Sequence, residues 1–158
     1  MKKIMVISDT HGEIDEMLEQ YNKLNDPDMI IHLGDYALDA KKIEREIGTT
    51  VVSVKGNMDG ENSEVPHRII EVEGYKILLT HGHKEKVKEG LTNLYYKALS
   101  LSCDIVLFGH THIPLKIQEG SIFFINPGSI TFPRGGSKSS YALITLQAEA
   151  VEAEIVYF

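Results

Sequence analysis

The chain has 158 residues, of which 42% are hydrophobic and 25% charged, and its 16 basic against 23 acidic residues give a formal charge of −7. That length suits one compact domain, expected over residues 1–158, and leaves little room for a second. The acidic balance argues against a protein that tracks extended nucleic acid, whose affinity comes from Lys and Arg on phosphates; a bound metal can still draw a small anion.

The single cysteine, Cys103, excludes an internal disulfide and a Cys-rich zinc site; beside Asp104 it reads as a small buried apolar residue. Lys2-Lys3 followed by Ile4 to Ile7 imitates a secretory leader, but Ser8-Asp9 interrupts it after four apolar residues. A leader core needs about 7–15 apolar residues and a membrane span about 20. A cytoplasmic protein without membrane contact is expected.

Taken in chain order, short apolar runs end in polar, ligand-type residues. Ile4 to Ile7 leads into Ser8-Asp9-Thr10-His11-Gly12, Met29 to Leu33 into Gly34-Asp35, and Val51 to Val54 into Gly56-Asn57-Met58-Asp59. Ile77 to Leu79 leads into Thr80-His81-Gly82-His83, Ile105 to Phe108 into Gly109-His110-Thr111-His112, and Ile122 to Ile125 into Asn126-Pro127-Gly128-Ser129. Such runs, rich in Val, Ile and Phe and closed by turn residues, read as buried strands.

Helices are expected between them. Ile14, Met17, Leu18 and Tyr21 follow the spacing of one helix face, and so do Val87, Leu91, Leu94, Tyr95 and Ala98 within Lys84 to Leu101. Asp39 to Ile47 is a shorter candidate with Gly48 as its cap. The mixed charges from Lys84 to Glu89 read as a solvated helix face. The tail, Tyr141 to Leu146 and Val151 to Phe158, reads as strands; Val151, Ala153, Ile155 and Tyr157 alternate with acidic residues. Its free edge is a place where two copies could pair.

Functional groups of open α/β sheets collect beyond the carboxyl ends of strands. Asp9, His11, Asp35, Asn57, His81, His110 and His112 all fall at such ends, at steps of about one βαβ unit, so successive parallel strands would carry all seven to one rim. Two carboxylates, an amide and four imidazoles suit Mn²⁺, Fe, Co²⁺, Ni²⁺ or Zn²⁺ rather than Ca²⁺. Seven ligands exceed what one open site needs and suit two ions about 3.5–4 Å apart, bridged by a carboxylate. Asp35 is the natural bridge. Two such ions activate a water and polarise a phosphoryl oxygen, which points to phosphoester hydrolysis.

These motifs resemble the calcineurin-like metallophosphoesterase superfamily, in order from residue 4 to about residue 136. Asn126-Pro127-Gly128-Ser129 with Pro133-Arg134-Gly135-Gly136 is similar to its small bacterial and archaeal phosphodiesterases. The resemblance implies a four-layer αββα sandwich, with two mixed sheets face to face and helices outside. It implies that Asp9, His11 and His112 hold one ion, that Asn57, His81 and His110 hold the other, and that Asp35 bridges them. Mn²⁺ is the favoured ion, with Ni²⁺, Zn²⁺, Fe or Co²⁺ as alternatives. Asp59 is given the role of fixing the loop that presents residue 58, and His83 a place near the substrate or behind the ligands.

Two departures narrow the expected activity. Many superfamily members carry His where this chain has Met58, and methionine can neither donate a proton nor hold a phosphoryl charge. A small phosphodiester with a good leaving group is therefore the expected substrate, ahead of monoesters. Asp39 stands where phosphoprotein phosphatases have a phosphate-clamping Arg, which disfavours that branch. The rivals are a non-catalytic interaction scaffold of the same fold and a nuclease or nucleotide pyrophosphatase. His32, inside an apolar run, reads as a hydrogen-bonded core residue, and His67, after Pro66, as part of an exposed loop. Asn126-Pro127-Gly128 reads equally well as a plain turn.

Overall fold

A computed structural model describes residues 1–61 and 63–158. Strand β1 (Lys2–Ile7) is followed by helix α1 (Asp15–Asn22), strand β2 (Met29–His32), helix α2 (Leu38–Ile47) and strand β3 (Val51–Ser53). These three strands pair in parallel, Ile4 opposite Met29 and Ile30 opposite Val51. The closing strands β9 (Ser140–Gln147) and β10 (Ala150–Tyr157) add antiparallel to β1, giving a sheet of order β10-β9-β1-β2-β3.

The second sheet has the order β4-β5-β6-β8-β7. It contains β4 (His67–Val72), β5 (Tyr75–Thr80), β6 (Ile105–Phe108), β7 (Leu115–Glu119) and β8 (Ile122–Asn126), with helix α3 (Thr92–Ser100) between β5 and β6. Strands β5, β6 and β8 run parallel, and β4 and β7 flank them antiparallel.

Period-two alternation between two covered faces explains why β1 is apolar at every position from Ile4 to Ile7. Ile4 and Val6 point between the sheets, where they meet Ile31, Ile77, Leu79 and Leu107. Met5 and Ile7 point outward, onto Met17 and Tyr21 of α1 and Ile43 of α2. In the second sheet Leu78, Val106, Phe108 and Phe124 point outward onto Leu94 and Ala98 of α3. The layers are therefore helix, sheet, sheet, helix, as the superfamily resemblance implies. Gly48 ends α2 in a left-handed conformation, its N–H bonded to the Glu44 carbonyl.

Several local expectations are corrected. The step from Asn57 to His81 is not a βαβ unit: it leaves one sheet and enters the other through β4. The seven candidate ligands thus come from two stacked sheets. Strands β4 and β7 were not anticipated. The β4–β5 hairpin turns at Glu73-Gly74, both with positive φ (52° and 84°), a tight turn usually signalled by Asn-Gly. The helix expected from Lys84 starts only at Thr92, because Gly82 (φ 103°), Lys86 (φ 55°) and Gly90 (φ 135°) hold the preceding stretch in turns. Glu85 does not lie on a solvated face there. It is buried, with Lys97 Nζ 2.6 Å away and the Thr80 hydroxyl donating to it. His67 is exposed as expected, but it opens β4 rather than lying in a loop.

Candidate metal centre

Asp9 follows β1, Asp35 follows β2 and Asn57 follows β3, while His81 follows β5 and His110 and His112 follow β6. Because the parallel strands of both sheets end on the same side, these loops converge. His112 Nε2 lies 3.1 Å from Asp9 Oδ1. His81 Nε2 lies 3.1 Å from Asn57 Oδ1, 3.4 Å from Asp35 Oδ1 and 3.8 Å from Asp9 Oδ1. His110 Nδ1 is 3.2 Å from His81 Nε2, and His11 Nε2 is 3.9 Å from Asp35 Oδ2. All seven candidate ligands thus meet in one cluster, with the two oxygens of Asp35 turned toward different histidines.

The backbone carries strain at this cluster. Asp9 (φ 56°), His11 (φ 50°), Asp35 (φ 55°), His110 (φ 69°) and His112 (φ 59°) all lie in the left-handed region. Non-glycine residues enter it at a cost of roughly 1–3 kcal/mol each, and five of the seven candidate ligands do so here. Such strain persists only where surrounding contacts fix it. A Cβ on Gly56 would overlap Asp35 Oδ1, and one on Gly109 would overlap Ser8 Oγ, so both loops pass too close for any side chain.

Backbone carbonyls set the imidazoles. His81 Nδ1–H donates to Leu33 O at 2.7 Å, and His112 Nδ1–H donates to Phe132 O at 2.6 Å. In both rings Nε2 therefore faces the cluster, the arrangement that orients metal-binding histidines. Burial alone would lower the pKa of His81, but its hydrogen bond to the Asp35 carboxylate and the charges of Asp9 and Asp35 outweigh it and raise it. His112 is raised in the same way, against burial, by Asp9. Burial and the His81 charge push His110 down to about 4, so it stays neutral. Burial would raise the Asp35 carboxyl, yet His81 and the Met58 N–H hold it well below the usual range.

The donors fit a divalent ion. Asp9 Oδ1 and His11 Nε2 are buried without a hydrogen-bond partner. Donor atoms of Asp9, His11, Asp35 and His112 lie within 4.8 Å of one another. Asp59 is placed behind the cluster: Oδ1 accepts the Ala37 N–H at 2.8 Å and Oδ2 the Gly56 N–H at 2.7 Å, joining the loops that carry Asp35 and Asn57. The His83 ring lies 5.4 Å from that of His81, its Nδ1 buried and unpartnered, and burial lowers its pKa. Met58 is 60% exposed at the rim.

Comparison with known proteins agrees with this geometry. The family model described as the calcineurin-like phosphoesterase superfamily domain matches residues 1–149. The chain belongs to the calcineurin-like phosphoesterase superfamily. It is 37% identical over 150 residues to the probable metallophosphoesterase YsnB of Bacillus subtilis, covering 93% of this chain and 86% of that protein. It is 34% identical over 170 residues to the phosphodiesterase YfcE of Escherichia coli K12, covering 91% and 88%. A predicted phosphoesterase from Streptococcus pneumoniae superposes with a TM-score of 0.85 at 31% identity, over 99% of this chain and 89% of that one. Vps29 of Entamoeba histolytica, solved with Zn²⁺, shares the fold alone, with a TM-score of 0.79 at 23% identity over 98% of each chain. Calcineurin-like phosphoesterases use divalent metals, and the Asp9, His11, Asp35 and His112 cluster has donors that could hold such an ion.

Other supporting residues were not identified from sequence. Asp39, noted only as a missing arginine, is buried, and its Oδ2 accepts the Thr10 hydroxyl at 2.6 Å and the Gly12 N–H at 2.8 Å. It thus holds both neighbours of His11. The Thr10 oxygen in turn pairs with Nε2 of the fully buried His32 at 2.9 Å, while the His32 Nδ1 accepts the Gly34 N–H. Asn126 is more than a turn residue: its amide donates to Gly109 O and Thr111 Oγ1, each at 3.0 Å. The Ser129 hydroxyl donates to Asp9 O.

Proposed function

We propose that this calcineurin-like phosphoesterase is a phosphodiesterase that hydrolyses a small phosphodiester with two divalent transition-metal ions, Mn²⁺ being the favoured one. The observation that carries the reading is Asp35, whose Oδ2 faces His11 at 3.9 Å and whose Oδ1 faces His81 at 3.4 Å. Asp9, His11 and His112 would hold one ion, Asn57, His81 and His110 the other, and Asp35 would serve both. Two bound ions would supply a water of lowered pKa and a Lewis acid for the phosphoryl oxygens.

The chain's own groups would do the rest. Leu33 O and Phe132 O keep protons on Nδ1 of His81 and His112, leaving each Nε2 free to coordinate. Asp59 holds the Asp35 and Asn57 loops in register. His83, whose ring stands 5.4 Å from that of His81 and whose Nδ1 is buried, would support the cluster from behind the ligands. Met58 offers no proton to a departing alkoxide, which favours diesters with good leaving groups over monoesters.

The test is hydrolysis of bis(4-nitrophenyl) phosphate beside 4-nitrophenyl phosphate by metal-stripped protein resupplied with Mn²⁺, Ni²⁺ or Zn²⁺. Metal-dependent diester cleavage, lost in Asp35→Ala and Asn57→Ala, is the expected result. Absence of turnover with every metal would overturn it in favour of the interaction scaffold.

A further inference from the structure

Five of the eleven large apolar side chains exposed among the described residues ring the metal centre: Tyr36, Leu38, Met58, Ile113 and Phe132. Exposed apolar residues scattered singly need no explanation, but a group of them on the loops around one site does. Each of these five sits in or beside a loop that carries or braces a ligand. Folding does not require their exposure, since none of the five belongs to a core cluster.

Two of them are aromatic and flank the same ligand. The Tyr36 and Phe132 rings each stand 5.3 Å from the His11 ring, Phe132 at 86° to it. Tyr36 is 41% exposed and Phe132 53%. Phe132 borders a shallow cavity of about 480 Å³, lined also by His11, His112, Thr131, Pro133 and Arg134. Its size falls in the range of small-molecule sites, about 300–1,000 Å³. The loop forming it is fixed rather than draped. Phe132 N–H donates to Ser129 Oγ at 2.8 Å, Phe132 O accepts from His112, and Arg134 N–H donates to His112 O at 3.0 Å. Arg134 brings a positive charge that acts on His112, in a protein whose net charge is negative.

We propose that Tyr36, Phe132 and Arg134 form a substrate subsite beside His11 that grips a planar aromatic substituent of the phosphodiester, a nucleobase or a simple aryl group. Phe132, which lines the cavity, offers an apolar face to the planar group, and Tyr36 extends the aromatic rim next to His11. Arg134 serves the phosphoryl charge or the ring face, both of which attract a guanidinium. Preorganised rings at an enzyme rim favour a flat ligand because little side-chain entropy is lost on contact. The inference rests on the phosphodiesterase reading for the identity of the reaction, but not for the existence of the subsite.

The experiment is calorimetric titration of Mn²⁺-loaded protein with two pairs that differ by an aromatic ring, phenylphosphonate against ethylphosphonate and thymidine 5′-monophosphate against 2-deoxyribose 5-phosphate. The expected result is that at least one ring-bearing ligand binds roughly 10-fold tighter than its ringless partner, as stacking on aromatic side chains gives. A preference in the nucleotide pair alone assigns a nucleobase; equal preference in both pairs assigns any aryl group. The preference falls to about one in the Tyr36→Ala/Phe132→Ala double variant and persists in Phe132→Tyr. Arg134→Ala weakens binding of all four. Metal content and thermal midpoint confirm that each variant folds. Equal affinity within both pairs for the unaltered protein, or a preference that survives the double variant, overturns the subsite. Ring preference without hydrolysis of any diester would instead defeat the phosphodiesterase reading and leave the subsite standing.

Discussion

His112 Nε2 and Asp9 Oδ1 meet at 3.1 Å although they hang from strands of different sheets. The contact exists only if both sheets are stacked in their final register, so the centre reports on tertiary structure as a whole. Neutral His112 gives its one proton, on Nδ1, to Phe132 O, so it brings none to the buried Asp9 Oδ1, and leaving a buried carboxylate oxygen without a donor costs free energy that a cation would recover.

Metal should therefore stabilise the fold. A divalent ion at about 100 times its dissociation constant adds about 2.7 kcal/mol, which for a domain of this size raises the melting midpoint by about 5–10 °C. Differential scanning calorimetry of chelated and Mn²⁺-supplied protein reads this directly. Asp9→Ala should abolish most of the rise, while a rise of equal size in that variant would place the ion elsewhere.

Asp39 should govern the same ion from behind. Its Oδ2 accepts from the Thr10 hydroxyl and the Gly12 N–H, so it fixes the loop on either side of His11. Partners of this kind cost about 10- to 100-fold in metal affinity when removed. Asp39→Ala should lose affinity on that scale in a metal-competition titration, while Asp39→Asn, which keeps one acceptor oxygen, should lose less. Equal affinities for both variants and the unaltered chain would assign Asp39 to stability alone.

The ordered strand-end motifs made the site legible in the sequence, because parallel strands deliver the residues after them to one edge wherever the helices lie. The αββα layering came from family resemblance; periodicity alone could not assign Ile4 and Met5 to opposite faces of a strand that is apolar on both. What stayed hidden depends on contacts between distant segments. Asp39 is seven residues past its own strand and reads as a helix-start acid until the Thr10 loop is laid against it. Glu85 lies in a run of alternating charges, and only Gly82 and Gly90, each with φ above 100°, turn it inward to Lys97. The strands β4 and β7 were missed because their turns, Glu73-Gly74 and Gly120-Ser121, lack the Asn-Gly or Asp-Gly signature.

Glu85 gives a pH prediction. Burial would raise its carboxyl, but Lys97 at 2.6 Å and the Thr80 hydroxyl at 3.0 Å outweigh burial and lower it below the ordinary 4.5. A lowered folded-state pKa contributes stability above the unfolded value and loses it as pH falls through the folded value. Glu85→Gln should cost about 1–3 kcal/mol at pH 7. The gap between variant and unaltered chain should close as pH drops below about 4.5. Urea unfolding at several pH values measures it; a gap constant down to pH 3 would show that the charge is not what stabilises this turn.

Met58 is the most direct handle on substrate choice. Its side chain is 60% exposed, while its backbone N–H donates to Asp35 Oδ1 at 3.0 Å. The side chain can therefore be exchanged without disturbing the contact that orients Asp35. An imidazole at this position would stand at the rim with a proton to give to a departing oxygen, a contribution of about 10²–10⁴-fold where a general acid is well placed. Met58→His should raise kcat for 4-nitrophenyl phosphate less than for an alkyl monoester such as glycerol 2-phosphate, because nitrophenolate leaves without protonation and an alkoxide does not. Diester turnover should change little in comparison. A gain confined to the activated monoester would mean that the new imidazole stabilises the phosphoryl group rather than the leaving oxygen. No gain with either would mean that Met58 does not set the monoester limit.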